Sequence, residues 1–290
     1  MNWNRILYVI AYIVFAPFVG ILFEGMDRKI SARMQRRVGP PLLQPLYDVV
    51  KLFKKQVISV SSTQTFFLLT YLILMILTGA LFFGGGDILM CFFVLSTAAT
   101  FLYFAAVASS SPYATIGANR ELIQMMTYEP AVLLACVGFY LSEGTFNVSR
   151  IATSEFSSIM YLPGFFVAFV FILTIKLRKS PFDTATSHHM HQELVKGLTT
   201  EMGAQNLALF QIAEWYELVF LMGVVGLYII NSNPWSIPAA IAVVLASYFL
   251  EILIDNTSAR MKWENMLVGT WMVTLLTAGV NLLALMLIKA

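Results

Sequence analysis

Residues 6–37 read ILYVIAYIVFAPFVGILFEGMDRKISARMQRR, and the two halves of this stretch have opposite character. Residues 6–23 carry no charge, whereas residues 24–37 hold five basic side chains together with Glu24 and Asp27. About 20 mostly apolar residues suffice for a helix that crosses a bilayer. No small-residue cleavage site follows the apolar run, so we expect a membrane-spanning helix rather than a secretory signal peptide.

The composition of the whole chain supports a membrane protein. Of its 290 residues, 59% are hydrophobic and 12% are charged, whereas soluble domains carry about 25% charged residues. This excludes a soluble enzyme, a disordered chain and an ordinary nucleic-acid-binding protein. The apolar residues form continuous runs rather than alternating strands, which excludes a β-barrel.

Seven further apolar runs resemble the first. We therefore predict an all-α polytopic membrane protein that forms a single domain over residues 1–290, with about eight transmembrane helices and a cytoplasmic amphipathic interfacial helix. The predicted spans are residues 6–23, 66–83, 88–109, 130–142 with their flanks, 161–177, 207–230, 237–254 and 266–288.

The basic residues predict the orientation. Eight spans leave both termini on one side, and fifteen of the eighteen basic residues then fall in the odd-numbered loops. Only Arg5, Arg150 and Lys289 lie on the other side. Because cytoplasmic loops are enriched in Lys and Arg, we expect the long loops in the cytoplasm and both termini outside the plasma membrane.

The first long loop contains a second helical pattern. Gly39-Pro40-Pro41 ends the preceding segment, and apolar residues then recur at helical spacing over residues 42–55, opposite Asp48 and three lysines. Two interpretations stay open for the loop: a lipid-bound surface, or a docking platform for a cytoplasmic partner. The candidate partner-contacting residues here are Glu24, Asp27, Arg28, Arg33, Arg36 and Arg37.

Acidic residues within or beside the spans are candidates for an ion pathway, because such residues are costly in lipid. They are Glu129, Glu201, Glu214, Glu217, Glu251 and Asp255. Glu214 and Glu217 share a helix face, as do Glu251 and Asp255, and two close carboxylates hold an exchangeable proton. The alternative is structural pairing with Arg178, Arg260 or Lys262. For Glu129, which precedes Pro130, the alternative is a place in the first turn of a helix.

All three histidines lie in the segment 178–201, at His188, His189 and His191. Their spacing matches no known zinc site, so we expect no metal and weigh a titrating role against a solvated loop. Ser180-Pro181-Phe182-Asp183 is typical of a turn or a helix start. The two cysteines, Cys91 and Cys136, are too few for an Fe–S cluster.

Four motifs together resemble the complex I subunit family that joins the peripheral arm to the membrane arm. They are the basic run 24–37 with Leu-Leu-Gln-Pro-Leu-x-Asp-x-x-Lys-Leu at 42–52, Gln-Met-Met-Thr-Tyr-Glu at 124–129, Ser-Pro-Phe-Asp at 180–183, and Glu193-Leu-Val-x-Gly197 through Thr200-Glu201. The resemblance covers nearly the whole chain and implies eight spans. It adds further candidate partner contacts, with no catalytic residue in this chain: Asp183, His188, His189, His191 and Glu193.

One segment departs from the complex I pattern. Complex I members are typically acid-rich after Pro-Phe-Asp, whereas residues 187–194 here read SHHMHQEL. This version resembles the energy-converting membrane-bound [NiFe] hydrogenases. That branch implies a non-catalytic anchor and coupling subunit in a ferredoxin-dependent complex that drives H⁺ or Na⁺ outward. An equivalent subunit of a sulfur-reducing or quinone-reducing complex and a non-conducting scaffold are the alternatives.

The same resemblance implies the partners. They are hydrogenase large and small subunits and a ferredoxin-like Fe–S subunit on the cytoplasmic side, antiporter-like membrane subunits and the lipid bilayer, with no nucleic acid. The 4Fe–4S clusters and the NiFe centre would lie in those partner subunits, and none in this chain.

Overall fold

The computed structural model describes residues 3–57, 61–186 and 196–289, and its regular structure is helical. The helices are α1 Trp3–Met34, α2 Gln44–Lys54, α3 Ser62–Phe83, α4 Ile88–Val107, α5 Pro112–Glu143, α6 Val148–Ile151, α7 Pro163–Lys176, α8 Ala204–Leu227, α9 Ser236–Thr257, α10 Trp263–Thr274 and α11 Val280–Lys289. A π-helical turn, Leu275–Gly279, joins α10 to α11. The predicted all-α membrane fold is confirmed.

Seven of the described helical segments are long and apolar enough to cross a membrane, with α10, the π turn and α11 acting as one. The exception is α7, which has 14 residues where the sequence predicts a span over 161–177. At 1.5 Å per residue it is about 21 Å long, shorter than the roughly 30 Å hydrocarbon core. Phe165, Phe169 and Leu173 are buried, so α7 is an inner helix covered by its neighbours.

Two helices extend beyond the predicted spans, and one prediction is wrong. α5 runs from Pro112 to Glu143 with Pro130 inside it, so Glu129 lies in mid-helix and not in a first turn. A proline inside a helix removes one backbone hydrogen bond, but α5 packs against α4, α7 and α10, which holds it in one piece. α1 likewise continues to Met34, so the first basic residues lie on a helix rather than in a loop.

The bundle core is built from aromatic contacts and close helix approaches. Phe220 of α8 lies edge-on to Phe82 and Phe92, with ring centroids 5.3 and 5.5 Å away. The ring of Tyr12 occupies the space where Gly79 would otherwise carry a Cβ. Because lipid tails are as apolar as the helix surfaces, such packing rather than the hydrophobic effect holds membrane helices together.

The amphipathic helix predicted over 42–55 is confirmed as α2. Val49, with Leu46 and Leu52, packs against Ile21 of α1 and Trp215 of α8. Leu43, Tyr47 and Phe53 stay exposed on its other side. One apolar face is therefore docked on the bundle and a second faces outward, as expected for a helix in the plane of the membrane surface.

The segments 24–37, 176–186 and 251–262 meet at one end of the bundle, and we call this the charged end. Lys179 pairs there with Asp27, the Ser180 backbone N–H donates to Asp255, and Arg260 lies beside Asp183. The basic segments predicted to share a side thus converge in space. Their assignment to the cytoplasm stays a prediction.

At the opposite end of α7, Asn281 supplies a cap from the last span. Its Oδ1 accepts a hydrogen bond from the Gly164 N–H at 2.8 Å, and its Nδ2 donates to the Tyr161 carbonyl at 3.0 Å. A free N–H in the first turn of a helix is thereby satisfied by another helix.

We predict that Asn281→Ala lowers the free energy of unfolding by about 1 kcal/mol, the usual cost of losing an N-cap side chain. Denaturant unfolding in detergent micelles measures it, with the exposed Asn265→Ala as the matched control. Equal stability of the two variants would show that the cap contributes nothing.

Candidate functional site

Three basic side chains at the end of α7, those of Lys176, Arg178 and Lys179, contact acids on different helices. Lys176 Nζ lies 2.7 Å from Glu217 Oε1 of α8, and it also sits 4.4 Å above the centre of the Tyr128 ring. The exposed fractions of the Lys176 and Glu217 side chains are 5% and 6%. This pair is therefore desolvated and is held by direct contact rather than by water.

Arg178 is the centre of the site. Its Nη2 and Nε reach both carboxylate oxygens of Glu121 on α5, at 2.9 and 3.3 Å, and its Nη1 lies 2.7 Å from Glu214 Oε1 on α8. Burial disfavours the charged guanidinium, but the two carboxylates outweigh this and raise the pKa of Arg178 well above its ordinary value. One cation thus joins α5, α8 and the end of α7.

The backbone at Arg178 explains how adjacent residues point apart. Arg178 has a φ of +49°, its N–H bonds to the Ile175 carbonyl, and the Lys179 N–H bonds to the Thr174 carbonyl. This is the Schellman arrangement, in which glycine usually takes the left-handed position. An arginine there is strained, and its three bonds to carboxylates compensate for the strain.

Lys179 turns in the other direction, toward α1 and α9. Its Nζ lies 2.9 Å from Asp27 Oδ2 and 4.9 Å from the centre of the Tyr248 ring. The next residue, Ser180, donates its backbone N–H to Asp255 Oδ1 at 2.8 Å. Residues 178–180 are therefore fixed to four helices, α1, α5, α8 and α9.

A second chain of contacts ties the surface helix α2 to the bundle. Arg28 bridges Glu24 and Asp48, with both contacts at 2.6 Å. Glu24 in turn accepts hydrogen bonds from Gln211 and Trp215 of α8, at 2.9 and 2.5 Å. Burial of Asp48 opposes its ionisation, but hydrogen bonds from Arg28 and Gln44 prevail and lower its pKa. The Arg28–Asp48 pair therefore stays ionised at neutral pH.

The Ser-Pro-Phe-Asp segment forms a turn followed by irregular backbone, not a helix start. Gln124 of α5 donates to the Phe182 carbonyl at 2.6 Å and to the Thr184 hydroxyl at 2.9 Å. Asp183 lies 3.7 Å from Arg260. Side chains thus satisfy backbone that forms no helix, which is the condition for irregular structure within a membrane protein.

Many of the groups of this network line a cavity of about 590 Å³. Its walls include both acidic and basic members of the network: Glu24, Asp27, Arg28, Lys176, Arg178, Lys179, Glu214, Glu217 and Asp255. A cavity of this volume is large enough for many waters.

The predicted site residues fall into four groups. Seven of them belong to the contacts described above: Glu24, Asp27, Arg28, Asp183, Glu214, Glu217 and Asp255. Glu251 is buried on α9, one turn before Asp255. Arg33, Arg36 and Arg37 are exposed at and beyond the end of α1, and Glu201 is half-buried in the turn before α8. Glu129 lies elsewhere, in a cavity of about 340 Å³ between α4 and α5. His188, His189, His191 and Glu193 lie outside the described residues.

Sequence reasoning missed Glu121, Lys176 and Lys179 as site residues. A signal for Glu121 existed, because Glu121, Gln124 and Tyr128 are three and four residues apart and share one face of α5. The predicted spans 88–109 and 130–142 leave most of this face outside a span, whereas α5 runs from Pro112 to Glu143. Within the described ranges, no group of three or more His, Cys, Asp or Glu side chains is arranged to hold a metal ion.

Comparison with known proteins identifies the family. A family model described as NADH dehydrogenase matches residues 6–286. A subunit of the NADH-quinone oxidoreductase of Rhodospirillum rubrum is 28% identical, with 96% of this chain and 94% of that protein aligned. The NADH-ubiquinone oxidoreductase chain 1 of Pongo abelii is 37% identical over 75% of this chain and 72% of its own length.

A solved structure has the same fold. It is a chain of the membrane-bound sulfane sulfur reductase, an archaeal respiratory membrane complex, with a TM-score of 0.86 and 24% identity over 97% of this chain and 99% of that one. The resemblance drawn from the sequence motifs is confirmed: the chain belongs to the NADH dehydrogenase family. Its assignment to the hydrogenase branch stays a prediction.

We predict that Arg178→Met destabilises the protein by about 3–5 kcal/mol, because the buried carboxylate of Glu121 then loses its cation. Unfolding in detergent micelles measures the loss, with the exposed Arg150→Met as the control. Adding Glu121→Gln to Arg178→Met should recover part of the stability. A loss no greater than that of the control would contradict the central role of this ion-pair cluster.

Proposed function

We propose that this chain is the membrane anchor and coupling subunit of a complex I-like complex that uses electron transfer to move H⁺ or Na⁺ across a membrane. The observation that carries the proposal is the set of contacts made by residues 176–179. Three basic side chains hold acids of α1, α5 and α8, beside a cavity at one end of the bundle.

The chain leads from this network directly to the predicted partner surface. The backbone after Lys179 continues through Asp183 into the histidine segment, which the resemblance places against the peripheral partner. A movement of that segment would pull on Arg178, whose left-handed backbone is held only by the surrounding contacts. A small displacement of Arg178 would change its interaction energy with the carboxylates strongly, because charges interact more strongly in a low-dielectric interior than in water.

Separation of Arg178 from its carboxylates would drive proton uptake. Without their shared cation, the buried Glu121 and the half-buried Glu214 are two neighbouring carboxylates, and such a pair does not readily stay fully ionised. Return of Arg178 would expel the proton again. Cycles of this kind convert a mechanical event at the partner into a change of charge within the membrane.

Glu129 provides a route from the network toward a neighbouring membrane subunit. It follows Tyr128, whose ring lies beneath the Lys176 ammonium. It also lines the groove between α4 and α5 together with Ser96, Thr97 and Thr100. A carboxylate and hydroxyl groups on the outer surface of membrane helices suit contact with an antiporter-like subunit better than contact with lipid.

For the identity of the complex, we propose a ferredoxin-dependent energy-converting [NiFe] hydrogenase in the plasma membrane of a prokaryote. The support is the segment 187–194, SHHMHQEL, which departs from the complex I pattern. In this proposal the charged end faces the cytoplasm, both termini lie outside, and the 4Fe–4S clusters and the NiFe centre belong to partner subunits. A sulfur-reducing complex is the second candidate, because a chain of such a complex shares the fold.

We predict that mild-detergent purification from native membranes co-purifies nickel, iron and a hydrogenase large subunit with this chain. Metal analysis and mass spectrometry of the purified complex provide the measurement. Iron without nickel would overturn the hydrogenase assignment in favour of a sulfur- or quinone-reducing relative.

We predict that Glu214→Gln and Glu217→Gln abolish ion translocation in proteoliposomes that contain the whole complex and reduced ferredoxin. Glutamine keeps the shape of the side chain but removes its charge and its exchangeable proton. The exposed Glu264→Gln is the matched control. Assembled complexes that translocate ions normally with both substitutions would favour a non-conducting scaffold.

A further inference from the structure

Glu251 differs from the other acids described at the charged end. Its exposed fraction is 0%, and neither carboxyl oxygen has a partner with hydrogen-bond geometry among the described residues. The Thr174 hydroxyl of α7 faces it but donates to the Phe171 carbonyl at 3.0 Å. The carboxylates of Glu121, Glu214 and Glu217 each contact a basic side chain, and Asp255 accepts a backbone N–H. Glu251 is therefore buried without the compensation that those acids receive.

The charged groups around Glu251 come from three elements. On its own helix the charged neighbour is Asp255, one turn away, and the neutral phenol of Tyr248 also lies near. From the segment after α7 comes Lys179, and from α1 comes Asp27, which holds the Lys179 ammonium at 2.9 Å. Asp183 lies farther along the same segment and faces Arg260. Three carboxyl groups thus share one ammonium group.

This imbalance decides the chemical form of Glu251. A bare carboxylate with no partner in an apolar interior is far less stable than the neutral acid. The ammonium is already engaged with Asp27, so Glu251 holds a proton in the arrangement that the structure shows.

We propose that Glu251 is a proton-binding site of the complex and that Lys179 controls it by moving between Asp27 and Glu251. The inference deepens the proposed function, on which it rests, by adding a second charge-controlled site beside that of Arg178. Lysine suits this task, because its ammonium is a compact charge on a flexible stem. The Tyr248 ring, 4.9 Å from the ammonium in the present position, offers it a cation–π contact along the way.

The transfer balances as follows. The carboxylic acid of Glu251 gives its proton to the carboxylate of Asp255, and the Lys179 ammonium then pairs with the new Glu251 carboxylate. Asp255 lines the 590 Å³ cavity, so it passes the proton to water there and becomes a carboxylate again. Asp27 is left with the Ser31 hydroxyl, which already donates to its Oδ1 at 3.2 Å, and with the water of the cavity. Return of Lys179 to Asp27 lets Glu251 take up a new proton by the reverse route.

The first test is Glu251→Gln in the whole complex, reconstituted in proteoliposomes and driven by reduced ferredoxin. We expect the number of protons translocated per electron pair to fall to the background level, while Glu264→Gln keeps the native value. Lys179→Gln should produce the same loss, because it removes the group that releases the proton. Native proton translocation in Glu251→Gln would overturn the proposal.

Infrared difference spectra of the native complex provide a readout that a structural role would not change. On reduction of the native complex we expect a carboxylic-acid C=O band to disappear. This band should shift in D₂O and should lie at a different frequency in Glu251→Asp. In Lys179→Gln it should remain after reduction. Absence of such a band from the native complex overturns the proposal even if Glu251→Gln does not assemble.

Comparison with Glu214→Gln separates the two proposals. If Glu214→Gln abolishes translocation and Glu251→Gln does not, the site at Glu251 is wrong and the coupling function stands. If neither substitution affects translocation, both proposals are wrong.

Discussion

The bidentate contact between Arg178 and Glu121, completed by Glu214, is the interaction on which the charged end depends. Glu121 lies on α5, Glu214 on α8 and Arg178 at the end of α7, so the cluster fixes three helices relative to one another. Taking one arginine and two glutamates out of water is costly unless their geometry is good and their hydrogen bonds are made. Evolution retains such arrangements in a membrane chiefly where charge is used.

Packing of the apolar part of the bundle fixes the distances between the helices that carry this cluster. Close approaches such as Tyr12 over Gly79 and Trp215 against Gly20 bring α1 to α3 and α8 with no space between them. The short helix α7 ends inside the protein rather than at its surface, and it thereby delivers Lys176, Arg178 and Lys179 to buried positions. Irregular backbone follows it, because Gln124 and Asp255 supply the hydrogen bonds that lipid could not.

The acids described at the charged end are of three kinds. Glu121, Glu214 and Glu217 each contact a basic side chain, Asp255 accepts a backbone N–H, and Glu251 has neither among the described residues. Glu214 and Glu217 share a helix face, yet each is matched by a different basic residue, Arg178 and Lys176. Each of these two neighbouring carboxylates therefore has its own basic partner. Glu251 and Asp255 are different, because one of them lines the cavity and the other is sealed from it. Acids spaced three or four residues apart on one helix face can therefore form different kinds of site, depending on which side chains of the neighbouring helices contact them.

The sequence by itself determined the membrane class, the places of most spans, the amphipathic helix α2 and the gathering of basic segments at one end. Long apolar runs favour the hydrocarbon core of a bilayer, and clusters of basic residues favour its surface. These features can therefore be predicted from local sequence. The sequence could not determine the course of α5 through Pro130, the shortness of α7 or the choice of ion-pair partners. The pairs Arg178–Glu121, Arg178–Glu214 and Lys176–Glu217 join residues 57, 36 and 41 positions apart. Their contacts depend on which helices pack together and at what depth, and only the tertiary structure decides that.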